Sequence, residues 1–326
     1  MSGVARAAGG GKRPFRLVKG VAGLSDLVDG YAGGLIAGRN IFFVDAQHTS
    51  SNDANVGTDP NFPLKTITQA YNNCTTDIGD IIVIKGADYR YRETDTLTIL
   101  KDGITIIGPG WGCEWNNNGS LAGGYVVKVE AKGVRIANIQ ISLNDSGAGI
   151  YVGDGNANKN AAMCTIENCF IRGDWLTATG PGASVGIGIE VDGASMCTIR
   201  NNHIWAWGTG IDVSDGAYRT SYGAHIYDNF IMGCQDYGIK WAGIGYVSVI
   251  DNNTICDFSS TVTMTYAISL SPTTGGVTVS GNKIAAAAPV YDSGDLNYWV
   301  GNYVRSTEAA SEALSVAMAA HDGTVT

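Results

Sequence analysis

Two apolar anchors five residues apart, bracketing a turn of Asn, Asp or Gly that is usually Asn, recur down the second half of this chain. They are Ile136 to Ile141, Ile166 to Ile171, Ile199 to Ile204, Ile226 to Ile231, Ile250 to Ile255, Val279 to Ile284 and Trp299 to Val304. First anchor to last is 163 residues in six steps, a mean period of about 27. Periods of roughly 20–50 residues belong to solenoids and arrays. Single steps run from 20 to 33 residues, so connecting loops change length while the core unit does not.

Within the unit, apolar and polar residues alternate up to the turn, as a half-buried strand requires. Asn is the residue besides Gly that best tolerates left-handed backbone angles, which makes it a corner between two strands. Asn202, Asn229, Asn253, Asn282 and Asn302 share one column of the repeat, and Asn168, Asn201 and Asn252 the column before it. Stacked coils would let such amides bond to one another along the long axis. A second unit falls between the first ones: Gly149 to Val152, Gly188 to Val191, Gly210 to Val213, Gly238 to Trp241 and Ala267 to Leu270. Two strand types per period, with a third in the variable remainder, describe a triangular coil. A leucine-rich repeat also ends in Asn, but its anchors are leucines, whereas Ile and Val dominate here and the intervening segments are Gly-rich without a helical period.

Over roughly residues 80 to 305 this pattern resembles the right-handed parallel β-helix, the fold of pectate lyases, polygalacturonases and many phage tailspikes. The opening segment is similar to that of pectate-lyase-like proteins: Ile41 to Asp45, a polar loop through Gly57 to Pro60, then Phe62 to Tyr71. That resemblance implies a helix covering the first coil, for which Ile67, Ala70 and Tyr71 at i, i+3 and i+4 supply an apolar stripe. The loop reads His48-Thr49-Ser50-Ser51-Asn52-Asp53 in place of the family's Gly-Ser-Asp, and a solvated loop is expected there ahead of a calcium site. Strands are expected at 81–84, 97–99, 104–107 and 126–129, with Trp111, Cys113 and Trp115 in a loop that leaves the barrel. Residues 307–320 read as a helix covering the last coil, since an open end invites edge pairing. The expected architecture is therefore all-β: a basic arm at 1–40 with a short helix near 23–29, an opening strand, loop and capping helix at 41–80, the parallel β-helix at 81–305 and a helical cap or tail at 306–326.

Composition narrows the function classes. Charged residues are 16% and glycines number 45, which suits tightly turning β structure. A net charge of −9 argues against nucleic acid as a partner of the body. Residues 1–25 nevertheless carry Arg6, Lys12, Arg13, Arg16 and Lys19 and no acid, which marks them as an arm suited to lie across a partner surface. Seven cysteines without C-x-x-C spacing read as core-filling thiols made in a reducing compartment, with Cys164 and Cys197 in one inward column. No run of 18 apolar residues and no secretory leader is visible, so no membrane partner is expected. No metal or other cofactor is expected: His203 and His225 lack metal-ligand spacing on one element, and the glycines serve turns.

Chemistry follows from stacking. Parallel coils lie about 4.8 Å apart, so each position becomes a column. The outward residue after Ile in the second unit gives Tyr151, Glu190, Asp212, Lys240 and Ser269. Glu190 and Asp212 would be stacked, with Asp192 beside them. Two carboxyl groups roughly 5 Å apart suit a retaining glycosidase, whereas Lys240 over Asp212 suits an ordinary wet face. The polygalacturonase Asn-Thr-Asp, Gly-His-Gly and Arg-Ile-Lys motifs and the pectate lyase Arg-x-Pro pattern are absent. Trp175, Trp205 and Trp207, just past the Asn corner, are candidates for sugar stacking or a subunit interface.

The reading that joins these features is a non-enzymatic structural protein of a bacteriophage virion, a capsid decoration or tail/spike component. It would be a homotrimer held to other virion proteins by its arm, displayed on the particle surface after assembly in the host cytoplasm. The alternatives are a polysaccharide hydrolase or lyase using Glu190 and Asp212, and a non-catalytic module binding a host-surface glycan.

Overall fold

The computed structural model describes residues 39–85, 89–117, 124–143, 147–153, 160–173, 186–257, 263–305 and 311–312. The chain divides into two units, Met1–Gly38 and Arg39–Thr326. The arm and the helix expected near 23–29 lie outside the described residues.

The body is a right-handed parallel β-helix. Two strands of each coil, those before and after the Asn corner, belong to an 18-stranded broad sheet, and the third belongs to an 8-stranded narrow sheet. From Ile166 onward register is kept residue for residue. Ile166 pairs with Ile199, Ile199 with Ile226 and Ile226 with Ile250. On the narrow sheet Ile150, Ile189, Ile211, Ile239 and Ile268 form one row. These rows point inward and are fully or almost fully buried, giving one continuous core along the prism. Each coil alone could not bury its apolar face; stacking does it.

The corner needs two residues, which divide two tasks. The first takes the left-handed backbone: Asn138, Asn168, Asn201, Asp228, Asn252, Gly281 and Gly301 all have φ between 52° and 63°. The second carries the amide ladder. Oδ1 of Asn229 accepts both the backbone N–H and the side-chain amide of Asn202, each at 3.0 Å, and the same pattern joins Asn229 to Asn253, Asn253 to Asn282 and Asn282 to Asn302. The remaining amide hydrogen reaches back to a carbonyl, as Asn229 Nδ2 does to Ile199 O at 2.9 Å. The ladder starts at Asn202 because the preceding coil has Cys169 in that place, which supplies only its backbone N–H, at 3.0 Å.

The glycine that opens the narrow-sheet strand has a different cause. A Cβ on Gly188, Gly210 or Gly238 would lie 2.5–2.6 Å from the carbonyl oxygen of the next coil, so the row is kept bare by close backbone approach.

Helix α1, Ile67–Asn73, buries Ile67, Ala70 and Tyr71 in the core beside the first strands. Thr66 Oγ1 accepts from Gln69 N at 3.1 Å as its N-cap, and the buried Glu93 accepts from Ile67 N at 2.9 Å. Two expectations fail. Trp111, Cys113 and Trp115 are not in a loop: Thr105–Asn117 is one 13-residue strand that absorbs the extra residues as register shifts, burying Cys113 and Trp115 and leaving Trp111 exposed. In the expected C-terminal helix, the two described residues, Ser311–Glu312, instead pair antiparallel with Tyr303–Arg305, because the open edge of the last coil offers unpaired backbone groups. The rest of that segment lies outside the described residues.

Candidate functional site

The outer face of the narrow sheet brings the candidate acids together. Glu190 pairs with Tyr151 on one side and Asp212 on the other, and Asp212 with Lys240, so the four make one column. Asp192 and Ser214 occupy the next outward column, two residues on. Because successive outward residues alternate with Val191 and Val213 in the core, the strands themselves fix where these carboxyls stand.

Each acid has a different environment. Asp212, whose side chain is 14% exposed, accepts from Lys240 Nζ at 3.0 Å through Oδ2. Its Oδ1 is buried and has no hydrogen-bond partner among the described residues. Burial raises the Asp212 pKa, and the Lys240 ammonium opposes the rise. Asp192 accepts from Tyr151 Oη at 2.9 Å and from Ser214 Oγ at 3.2 Å. Glu190 differs from both. Burial first, then the charges of Asp192 and Asp212, push its carboxyl from 4.5 up to about 7. It makes no hydrogen bond or ion pair among the described residues.

Tyrosines and cations frame the acids. Tyr125 and Tyr151 lie with ring centroids 4.9 Å apart, and Lys128 Nζ stands 5.2 Å from the Tyr151 ring centre while pairing with Glu130. Lys240 also sits 5.8 Å from the Tyr237 ring. Tyr125, Lys128 and Tyr237 were missed in the sequence, although extending the Tyr151 column by one coil reaches Lys128 directly. The face thus offers carboxylate acceptors, one carboxyl that is half protonated near neutral pH, and flat rings.

The other sequence candidates go elsewhere. Trp207 is not on a surface: its indole lies in the core and donates to Ile171 O at 3.1 Å, in space that Gly149, Gly173, Gly186 and Gly188 leave open. Trp205 is half-buried on the outside of the broad sheet, stacked on Phe170 at 6.3 Å with Arg172 5.7 Å from its ring. It stands on a different sheet from Glu190. Trp175 and the arm residues Arg6, Lys12, Arg13, Arg16 and Lys19 lie outside the described residues. His203 packs between Trp111 and Phe230 with its ring tilted 60° and 37° to theirs, and burial lowers its pKa. His225 stands against Tyr227 at 4.1 Å.

A second acid, Glu167, shows what a structural carboxyl looks like here. Only 3% of its side chain is exposed, and its two oxygens are taken by Arg135 and Arg200 from the coils on either side. In the opening loop, Asp53 Oδ1 accepts from Lys65 N and Thr66 N at 2.8 and 2.9 Å, so this acid braces the loop against α1. Among the described residues no group of three His, Cys, Asp or Glu is arranged to hold a metal ion, and no helix is long and apolar enough to cross a membrane.

Comparison with solved structures gives the same fold at low identity. A GH136 lacto-N-biosidase from Eubacterium ramulus is similar over 81% of this chain and 56% of its own, with 13% identity and a TM-score of 0.56. A pectate lyase is similar over 88% and 82%, with 17% identity and a TM-score of 0.53. The Dettilon tailspike protein is similar over 81% and 54%, with 17% identity and a TM-score of 0.51. The chain thus spans little more than half the length of the lacto-N-biosidase and the tailspike. No curated protein matches the sequence. A family profile described as protein of unknown function (DUF1565) matches residues 49–282, which takes in the opening loop, α1 and the coils through the fourth asparagine of the ladder, and the chain belongs to that family.

Proposed function

We propose that this chain is a non-enzymatic structural component of a bacteriophage particle, a capsid decoration or spike body, that presents the outer face of its narrow sheet to a host-surface polysaccharide. The observation that carries the reading is that face, where Glu190, Asp192 and Asp212 stand among Tyr125, Tyr151 and Tyr237. Carboxylates accept hydrogen bonds from sugar hydroxyls, and tyrosine rings receive the C–H faces of pyranose rings. The fold shared with a tailspike and the basic residues 1–25 support display on a particle. The half-buried aromatics Phe170, His203, Trp205 and Phe230, with exposed Trp111, supply a face for packing as a homotrimer. On this reading the protein stands at the virion surface, after assembly in the host cytoplasm.

The test is fractionation of particles with the full chain and with residues 1–38 removed, alongside binding of host capsular polysaccharide. Particle association lost with the arm, and glycan binding lost in Glu190→Ala/Asp212→Ala, are the expected results. A truncated chain that still enters particles sinks the anchoring role.

A second reading, cleavage of the bound chain, is favoured by one observation: Glu190, at about 7, stacks on Asp212, whose pKa burial raises while the Lys240 ammonium opposes the rise. Adjacent rungs about 4.8 Å apart match the roughly 5–5.5 Å carboxyl separation of retaining glycosidases. Glu190 would then protonate the leaving oxygen and Asp212 attack the anomeric carbon. New reducing ends, released by the wild type and absent with Asp212→Asn, would establish this reading; their absence with the wild type removes it.

A further inference from the structure

A groove of about 610 Å³ runs along the corner that leads from the narrow sheet into the broad one, where Ala162 and Met163 of one coil and Ser195 and Met196 of the next border it. Cys164 and Cys197 follow directly and turn inward. They are 1% and 3% exposed, one residue behind methionines that are 53% and 45% exposed. The thiols thus lie just beneath the groove: Cys164 Sγ stands 3.8 Å from Ala162 O, and Cys197 Sγ 3.7 Å from Ser195 O.

The two cysteines occupy one column of the repeat. Thr165 N donates to Val134 O at 2.9 Å, Thr198 N to Cys164 O at 2.8 Å and His225 N to Cys197 O at 2.8 Å. The column therefore runs Val134, Cys164, Cys197, Ala224, with the thiols on adjacent rungs. Adjacent rungs are about 4.8 Å apart, inside the roughly 4.4–6.8 Å between Cα atoms that a disulfide spans. Both sulfurs also approach one carbonyl oxygen, Ala161 O, at 3.0 and 3.6 Å, so the Cys197 side chain leans toward the coil of Cys164. The thiols interact directly. That contact lowers the Cys197 pKa, against burial, and raises that of Cys164. Cys234 and Cys256 also come from neighbouring coils, but Cys256 pairs with Met232, two residues away from Cys234. Burial pushes Cys74, Cys113, Cys169 and Cys234 up to about 12, which keeps them as unreactive thiols.

We propose that Cys164 and Cys197 are a disulfide-forming pair, oxidised by a hydroperoxide that enters through the groove, and that the bond staples two adjacent coils together. The Cys197 sulfur attacks a peroxide oxygen, the O–O bond breaks, one water leaves and a sulfenic acid remains. The Cys164 sulfur then attacks that of Cys197; the S–S bond forms as the S–O bond breaks, and a second water leaves. Both thiol hydrogens end in water, and the two electrons given up by the sulfurs reduce the peroxide. In a reducing compartment the thiols persist. Cys197 lies 33 residues after Cys164, so the cross-link closes a loop and removes freedom from the unfolded chain. The inference does not rest on the function proposed above.

The experiment treats the folded full chain with hydrogen peroxide, then alkylates free thiols under denaturing conditions and maps the peptides by mass. Of the seven cysteines, two are expected to escape alkylation, joined in a Cys164–Cys197 peptide. The melting temperature is expected to rise by about 5 °C. A dithiol reductant should reverse the rise, which separates it from methionine sulfoxide, a product that needs its own reductases. Cys197→Ala, which installs the residue of the next coil, is expected to abolish both the cross-link and the rise, and Cys256→Ala to leave both in place. Seven alkylated thiols, a sulfinic acid at either position, a bond to a different cysteine, or a cross-link without a rise in melting temperature would each overturn the proposal.

Discussion

Glu167 and Glu190 stand on different sheets of the same prism, and their surroundings differ in kind. Glu167, on the broad sheet, is held between Arg135 and Arg200, so the coil above and the coil below each contribute a cation. Glu190, on the narrow sheet, has a tyrosine on one side and a carboxylate on the other, and burial, then the charges of Asp192 and Asp212, push it to about 7. On the broad sheet the arginine clamp engages both oxygens of Glu167 and the ladder pairs the asparagine amides, while Arg135 Nη1 is left buried without a partner among the described residues. The narrow face leaves Asp212 Oδ1 buried and unbonded among the described residues. A repeat protein can tolerate unmet acceptors on one face because nearest-neighbour stacking elsewhere stabilises the coils. Unmet acceptors beside aromatic rings are what a ligand would complete.

The comparison is broken most forcefully on the ladder. Asn253→Ala removes the acceptor for both Asn229 donors and the donor to Ile226 O, and should cost about 3–5 kcal/mol by urea unfolding, since each orphaned buried group costs roughly 1–3 kcal/mol. Loss below about 1 kcal/mol would mean the ladder is ornamental. Glu167→Gln should come next. It leaves two guanidiniums facing a neutral amide, and with Arg200 40% exposed the expected loss is about 2–3 kcal/mol, less than for a fully buried pair.

Glu190→Gln should have the opposite sign. The folded carboxyl binds its proton more tightly than the unfolded one, so Glu190 favours the folded state fully below pH 4.5 and loses that contribution as pH rises through about 7. The variant should therefore gain about 1–2 kcal/mol at pH 8, solvent screening allowed for, and flatten the stability profile between those values. A wild-type profile already flat over that range would remove the contrast between the two glutamates. The smallest effect belongs to Trp205→Ala. Its stacking on Phe170 and Arg172 should be worth about 1 kcal/mol, and the glycan binding proposed for the narrow face should not change. A large loss of glycan binding would move the recognition surface to the broad sheet.

Much of this could be read before any coordinates. The period of the Ile anchors implied stacked coils, and the coils implied columns, so Glu190 over Asp212 and Lys240 over Asp212 followed from counting. Asn202 to Asn302 could be aligned the same way. Where counting failed, the chain broke its own period: the register shifts in Thr105–Asn117 hid Trp115 in the core, and Trp207 lies past the corner, where the repeat no longer specifies inside or outside. The arginine clamp was legible in principle, since Glu167 pairs with Arg200 in the repeat, but nothing local said that both would be drawn in over a buried carboxyl.

The sequence by itself determined the coil, its corners and which residues share a column, because period and turn chemistry are local properties that identical neighbours reinforce. Only the tertiary structure decided how deeply each column is buried, that Glu167 is enclosed by two arginines, and that four corners enclose a groove. Those depend on loops of unequal length meeting across coils, and solvent exclusion at such a meeting is a property of the surfaces together, not of any one stretch of chain.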